Sequence, residues 1–223
     1  MEMKNKSRVN NLVAALKERG IDVSEESFSQ PKQNFDLELV IARYNEDLSW
    51  IDRLPCKSTI YNKGSHCGRY CYTLSNIGRE SHTYLYHIIN NYSDLSDLIV
   101  FTQGDPFPHC PDFIDKIQSI VQKGLDKPFR NLSSWTLSVQ ELKCDYWPYA
   151  NWPNLVPEVA HSLFGKDFNR PIWFGAGAIF AVTKEAIRKH PLSFYEKAIE
   201  FHDTNNDGYA HAFERLWPTI FGE

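Results

Sequence analysis

The segment Asp203 to Glu214, DTNNDGYAHAFE, fits the calcium-loop pattern D-x-[DN]-x-[DN]-G-x5-E letter for letter. The pattern has a physical basis: a hard cation takes roughly six to eight oxygens, with a glycine at the sixth position for the sharp turn and a bidentate Glu at the twelfth. Gly208 and Glu214 occupy those two places. The eighth position, which normally pairs with a partner loop, is only Ala210, and the sequence holds no second copy of the motif. The same letters also spell an ordinary solvated turn, because Asp, Asn and Gly are common loop residues. A lone calcium- or carbohydrate-binding protein and an enzyme with an acidic loop are both open on this segment alone.

Histidine offers a second chemistry. His82, Asp105 and His109 together would hold a metal-activated water, as in a metal-dependent hydrolase. Their spacing matches no compact metal motif. His82, at the start of a helical stretch, reads as a capping or ligand-contacting residue, and His87 as partly buried among tyrosines. There is no G-x-S-x-G elbow and no G-x-x-x-x-G-K-[ST] phosphate loop, so serine-hydrolase and P-loop chemistry find no support.

These residues need a scaffold, and the chain has the material for one. Its 223 residues, 42% hydrophobic and 14% aromatic, suffice for one α/β domain with a small appendage. A formal charge of −4 gives no global attraction to nucleic acid or anionic lipid, so any phosphate site must be local. The longest apolar run, 172–182, is too short to span a bilayer and contains two glycines. The N-terminus lacks the apolar stretch and cleavage site of a secretory signal. The five cysteines are odd in number and lack zinc-finger partners, which favours reduced thiols and a cytoplasmic location.

Val9, Leu12, Val13 and Leu16 line one face of a short helix that stops at Gly20, and the polar stretch Ser24 to Asp36 reads as a linker. Residues 1–36 are therefore an appendage and 37–223 the domain. Leu37 to Ala42 reads as a strand, followed by the polar Arg43-Tyr44-Asn45-Glu46-Asp47 and a helical LSWIDRL. Ser58 to Tyr61 and Leu98 to Phe101 read as further strands, with a helix over SHTYLYHIINNY between them. The alternation predicts an open, mostly parallel sheet flanked by helices, with ligands at the carboxyl ends of the strands. On that rim fall Arg43, Asn45, Glu46, Lys63, Gln103 and Asp105. Residues 172–182 read as a strand pair or bulge with Gly175 and Gly177 where a ligand or backbone comes close, then a helix capped by Thr183. SFYEKAIEFHD and YAHAFERLW read as closing helices. The aromatic, proline-rich stretch from Cys144 to Arg170 carries Trp147 and Trp152, whose rings suit either a sugar face or a packed cap.

Three stretches, VIARYNEDLSWI, NIGRESHTYLYHIINNYSDLSDLIVFTQGDPF and WFGAGAIFAVTKEAIRKHPLSFYEKAI with the terminal FERLWPTIF, resemble a domain-of-unknown-function family whose layout is similar to small glycosyltransferases of the A-type (GT-A) fold. The resemblance spans roughly Leu37 to Gly222. It implies a Rossmann-like single domain using a nucleotide-sugar donor and a glycan or lipid-linked acceptor. It places Arg43, Asn45 and Glu46 near the base or ribose, Asp105 at a divalent metal (Mn²⁺ or Mg²⁺) and the diphosphate, and Gly175, Ala176 and Gly177 near the sugars. Lys63 and Arg79 would supply fixed charge, His82 and Gln103 further donor contacts, and Trp147 and Trp152 a sugar platform. Glu214 or Asp207 would take the proton from the acceptor hydroxyl. The Asp-x-Asp position of such transferases reads Gln103-Gly104-Asp105 here, with one carboxylate of the two.

Overall fold

The computed structural model describes residues 35–139, 155–204 and 206–222. The expected N-terminal helix and nearly all of its linker, together with Trp147 and Trp152, lie outside the described residues. Eight strands are described: β1 (Leu37–Arg43), β2 (Lys57–Asn62), β3 (Tyr72–Thr73), β4 (Leu98–Gln103), β5 (Phe129–Asn131), β6 (Thr136–Val139), β7 (Ile172–Gly175) and β8 (Phe180–Thr183). The helices are α1 (Arg79–Asn91), α2 (Phe113–Lys123), α3 (Leu155–Phe164), α4 (Lys184–Ile187), α5 (Leu192–Ile199) and α6 (Gly208–Phe221). No described helix is long and apolar enough to cross a membrane.

Six strands form one sheet in the order β3-β2-β1-β4-β8-β5, and β6 and β7 make a separate antiparallel ribbon. From β3 to β4 every pairing is parallel, while β8 runs antiparallel between β4 and β5. The expected mostly parallel sheet with flanking helices is what the chain forms. Near-continuous apolar runs build it because both faces are covered. Leu39, Ile41, Ile60 and Val100 pack on one face against Trp50, Phe113 and Ile117, while Val40, Ile99, Phe101 and Phe180 pack on the other against Tyr84, Phe213 and Trp217.

Two expectations are corrected. The LSWIDRL stretch makes only a 3-10 turn over Ser49–Arg53, whose C-terminal residue Leu54 turns to extended backbone before Pro55. The strands at 172–182 do not pair with each other: β7 pairs with β6 and β8 enters the main sheet. The chain switches direction there through two left-handed residues, Gly177 at φ 84° and Ala178 at φ 51°. Thr183 does cap α4, its hydroxyl accepting the Ala186 N–H at 3.2 Å.

Candidate functional site

From β1 the chain moves to β2 on one side, then returns to place β4 on the other. Such a switch point opens a crevice beyond the carboxyl ends of the strands, because the loops leaving them diverge to opposite sides. A cleft of about 320 Å³ lies there, lined by Ala42, Arg43, Tyr44, Glu46, Lys63, Asn76, Arg79, Glu80, Gln103 and Asp207. Six of the residues expected at a donor or catalytic site therefore share one cavity: Arg43, Glu46, Lys63, Arg79, Gln103 and Asp207.

The loops after β1 and β2 are locked together. The Arg43 guanidinium, almost wholly buried, donates to the Glu46, Tyr44 and Ser65 carbonyls at 3.0, 3.2 and 3.1 Å and to Asn62 Oδ1 at 2.6 Å. Asn45 Oδ1 accepts both the N–H and the hydroxyl of Ser65, at 2.9 and 2.6 Å. A Cβ on Gly64 would lie 1.7 Å from the Tyr44 carbonyl oxygen, so only glycine permits this approach. Glu46 Oε2 accepts the Tyr44 N–H at 2.7 Å, while the Gln103 amide donates to the Gly177 carbonyl at 2.9 Å. Arg43 and Asn45 thus shape the wall, with Asn45 outside the cleft lining.

Lys63 holds the opposite wall. Its ammonium donates to the Ile77 carbonyl at 2.6 Å and to the Arg79 carbonyl. Burial lowers its pKa from 10.5 to about 8, against the attraction of Glu80 and Asp207. The corner it grips is strained: Gly78 at φ 58° and Arg79 at φ 46° are both left-handed, a conformation that costs a non-glycine residue about 1–2 kcal/mol. This corner starts α1 inside the cleft and turns Glu80 into it. Glu80's side chain is 11% exposed, and its nearest cation is Arg79 Nε at 3.9 Å. Burial raises the Glu80 carboxyl above the usual range, opposed by its own backbone N–H and reinforced by the charge of Glu214.

Glu80, Tyr44 and Asn76 are lining residues that the sequence reading did not assign. Glu80 sits in a first helical turn, where an acid ordinarily signals only a favourable dipole. Nothing in the spacing marks this one as facing a cavity.

Other expected residues lie elsewhere. Asp105 is exposed, outside the cleft lining, and its Oδ1 accepts the Phe107 N–H at 3.2 Å in a turn. Among the described residues no group of three His, Cys, Asp or Glu side chains is arranged to hold a metal ion. That finding removes the three-ligand hydrolase site expected at His82, Asp105 and His109, while Asp105 offers a single carboxylate at the end of β4. His82 is not in the cleft: its ring lies edge-on to His202 at 6.1 Å, and its Nδ1 has no hydrogen-bond partner. Burial, with the Lys63 charge, lowers His82 to about 4, and burial with His82 lowers His202 to about 3.

Glu214 is anchored rather than free. Its Oε1 accepts the Gly177 N–H at 2.6 Å and its Oε2 the Arg215 guanidinium at 3.3 Å. Burial works to raise its carboxyl, but hydrogen bonds from His211 and Gly177 outweigh it and hold the group below the usual range. The calcium-loop reading fails on the same geometry. Helix α6 begins at Gly208, the sixth loop position, so Glu214 sits a turn and a half into a helix with its oxygens engaged elsewhere. Gly175, Ala176 and Gly177 form a buried crossing: a Cβ on Gly175 would meet Asn131 at 1.8 Å, and Gly177 is bonded to Gln103 and Glu214.

The fold and cleft define an α/β protein of doubly wound character with a polar cleft at the carboxyl ends of the parallel strands, where ligands of such sheets bind. The chain belongs to the family described as "Protein of unknown function (DUF3431)", whose profile matches residues 39–223. Among solved structures, it is similar to glucosyl-3-phosphoglycerate synthase of Mycobacterium tuberculosis, at 12% identity and a TM-score of 0.37, with 76% of this chain and 65% of that one covered. The same enzyme in complex with Mn²⁺, uridine-diphosphate-glucose and phosphoglyceric acid matches at 10% identity and a TM-score of 0.35, over 80% of this chain and 68% of that one. No curated protein matches the sequence.

Proposed function

We propose that the protein is a glycosyltransferase that takes a nucleotide-sugar donor into the β1/β4 cleft and transfers its sugar to a hydroxyl of a glycan or lipid-linked acceptor. The observation that carries this reading is the cleft itself, which sits at the switch point with Lys63 and Arg79 on one wall and the polar ends of β1 and β4 on the other. Transfer breaks an anomeric C–O bond whose leaving group is a nucleoside diphosphate, so positive charge fixed in place before reaction stabilises the leaving oxygen most effectively. Lys63 is held rigidly by two carbonyls, and Arg79, half exposed, reaches toward a diphosphate from the start of α1. The helix N-terminus adds unpaired N–H groups on the same side. Tyr44, 51% exposed beside the cleft, offers a flat face for a base. No step of this scheme runs through a metal.

The test is a thermal-shift panel of nucleoside diphosphates and nucleotide sugars, each with Mn²⁺, Mg²⁺, Ca²⁺ or chelator. The reading expects a nucleotide-dependent rise that persists with chelator and is lost in Arg79→Ala. A rise with Ca²⁺ and with no nucleotide would refute it.

A further inference from the structure

We infer that Glu80 is the group that takes the proton from the attacking hydroxyl, an assignment that rests on the transferase reading above. Four carboxylates border or line the relevant space, and their geometry separates them. Glu46 lines it, but its Oε2 accepts the Tyr44 N–H at 2.7 Å within the loop after β1. Asp207 is exposed at the mouth of the cleft, where water competes for any proton it handles. Glu214 is outside the lining, with both oxygens bonded within the protein. Glu80 is inside the cleft and shielded from water, its side chain 11% exposed, with Arg79 Nε 3.9 Å away, no hydrogen bond to another side chain and only its own backbone N–H against the carboxylate. A base must reach its substrate with a lone pair unspent and little water competing for the proton, and Glu80 combines the two where exposed Asp207, loop-bound Glu46 and doubly bonded Glu214 do not.

The backbone supports the same assignment. Glu80 follows Arg79, a non-glycine residue in the left-handed region, and the Lys63 ammonium clamps the carbonyls on both sides of Gly78. Strain of this kind persists where surrounding bonds over-determine it, and it concentrates where a side chain has to be aimed. Without the corner, α1 would start along a different direction and Glu80 would leave the cavity.

The charges around Glu80 suit proton uptake. Glu214 from α6 repels its ionised form, while His211 from α6 and Arg79 from α1 moderate that repulsion, and Lys63 attracts it from the end of β2. Tyr84, one turn along α1, is itself held neutral by burial and by both acids. In the step, a Glu80 oxygen accepts the hydroxyl proton as the acceptor oxygen bonds to the anomeric carbon. The anomeric C–O bond to the diphosphate breaks, its electron pair leaving on the diphosphate oxygen. Glu80 then returns the proton to solvent.

UDP-glucose and GDP-mannose serve as probes, with water as the acceptor and release of the nucleoside diphosphate as the signal. Glu80→Gln is expected to bind the active donor within about threefold of wild type by thermal shift yet to lose roughly 10²–10⁴ in kcat. Glu80→Asp should recover part of that loss. In the wild type kcat should rise with pH as Glu80 ionises, with an apparent pKa above the usual carboxylate range, and that limb should vanish in Glu80→Gln. A Glu80→Gln enzyme that keeps kcat and the acid limb would overturn the assignment while leaving the donor reading standing. A wild type that binds neither probe would overturn both, and the binding data alone distinguish the two failures. Should Glu80→Gln melt early, the pH profile of Glu80→Asp decides, since a base one methylene shorter keeps the limb and a bystander leaves the rate unchanged.

Discussion

Replacing Lys63 by Met tests the clamp from its energetics. Burial lowers the ammonium from 10.5 to about 8, which at about 1.36 kcal/mol per unit means that folding disfavours the charged form by about 3 kcal/mol. Below pH 8 both the folded and the unfolded chain carry the proton, and that cost is present in full. Between pH 8 and 10.5 the folded protein loses its proton first, so the unfolded chain binds more protons and stability climbs with pH. Met removes this cost but strands the Ile77 and Arg79 carbonyls, each loss being about 1–3 kcal/mol. The two effects nearly offset at pH 7, so the variant should unfold there within a few kcal/mol of wild type. The signature is instead a slope: the stability of wild type relative to the variant should rise by about 3 kcal/mol from pH 7 to 10.5. Urea unfolding of both proteins across that range measures it. Parallel curves would mean that Lys63 is solvated, and the argument for a rigid cationic wall would fall with it.

Three further outcomes follow from the same geometry. Gly64→Ala should destabilise by roughly 2–4 kcal/mol in urea titration, because its Cβ overlaps backbone that no rotamer change can move and the Ser65 to Asn45 bonds must open. His202 is held neutral in the fold, so the unfolded chain gains protons below pH 6.5 and stability is lost as the pH falls. Its share is about 3 kcal/mol by pH 4, and His202→Gln should show a correspondingly shallower fall in Tm. Arg79→Gly exchanges left-handed strain of about 1–2 kcal/mol for a glycine entropy cost of about 0.5–1 kcal/mol. Its Tm should stay near wild type while nucleotide binding is lost.

The strands were legible where burial on both faces writes a continuous apolar run: Leu37 to Ala42, Ser58 to Tyr61 and Leu98 to Phe101 differ from the observed strands only at their ends. The rim residues followed from knowing where parallel strands end. Helix α2 carries the same kind of signal, since Phe113, Ile114, Ile117 and Ile120 keep a helical period and are all buried. β5 and β6 offer no such signal, being three and four residues long and partly exposed. The site was half legible for a related reason. Residue type and strand ends pointed to Lys63, Arg79 and Gln103, whereas whether a carboxylate is free depends on distant partners. Glu214 meets Gly177, 37 residues away in sequence, and that contact removed it from consideration. Glu80 gained its place through a backbone conformation that sequence does not encode in any local pattern.

The Lys63 clamp also closes a ring in the chain. With the Arg43 carbonyl bonded to the Lys63 N–H, Asn62 to Leu74, and the Lys63 ammonium to Ile77, both roots of the loop between Ser65 and Tyr72 are fixed independently of its interior. Gly68 at its tip is exposed, and a side chain built there meets nothing within 4 Å. Lengthening such a loop is cheap, about 0.6 kcal/mol for each doubling. Room for added length is therefore confined to the tip at Gly68, since Arg69 is paired with Asp52 and Cys67 and Cys71 pack against the core. A short insertion or grafted epitope at Gly68 would be accommodated without disturbing the wall of the cleft.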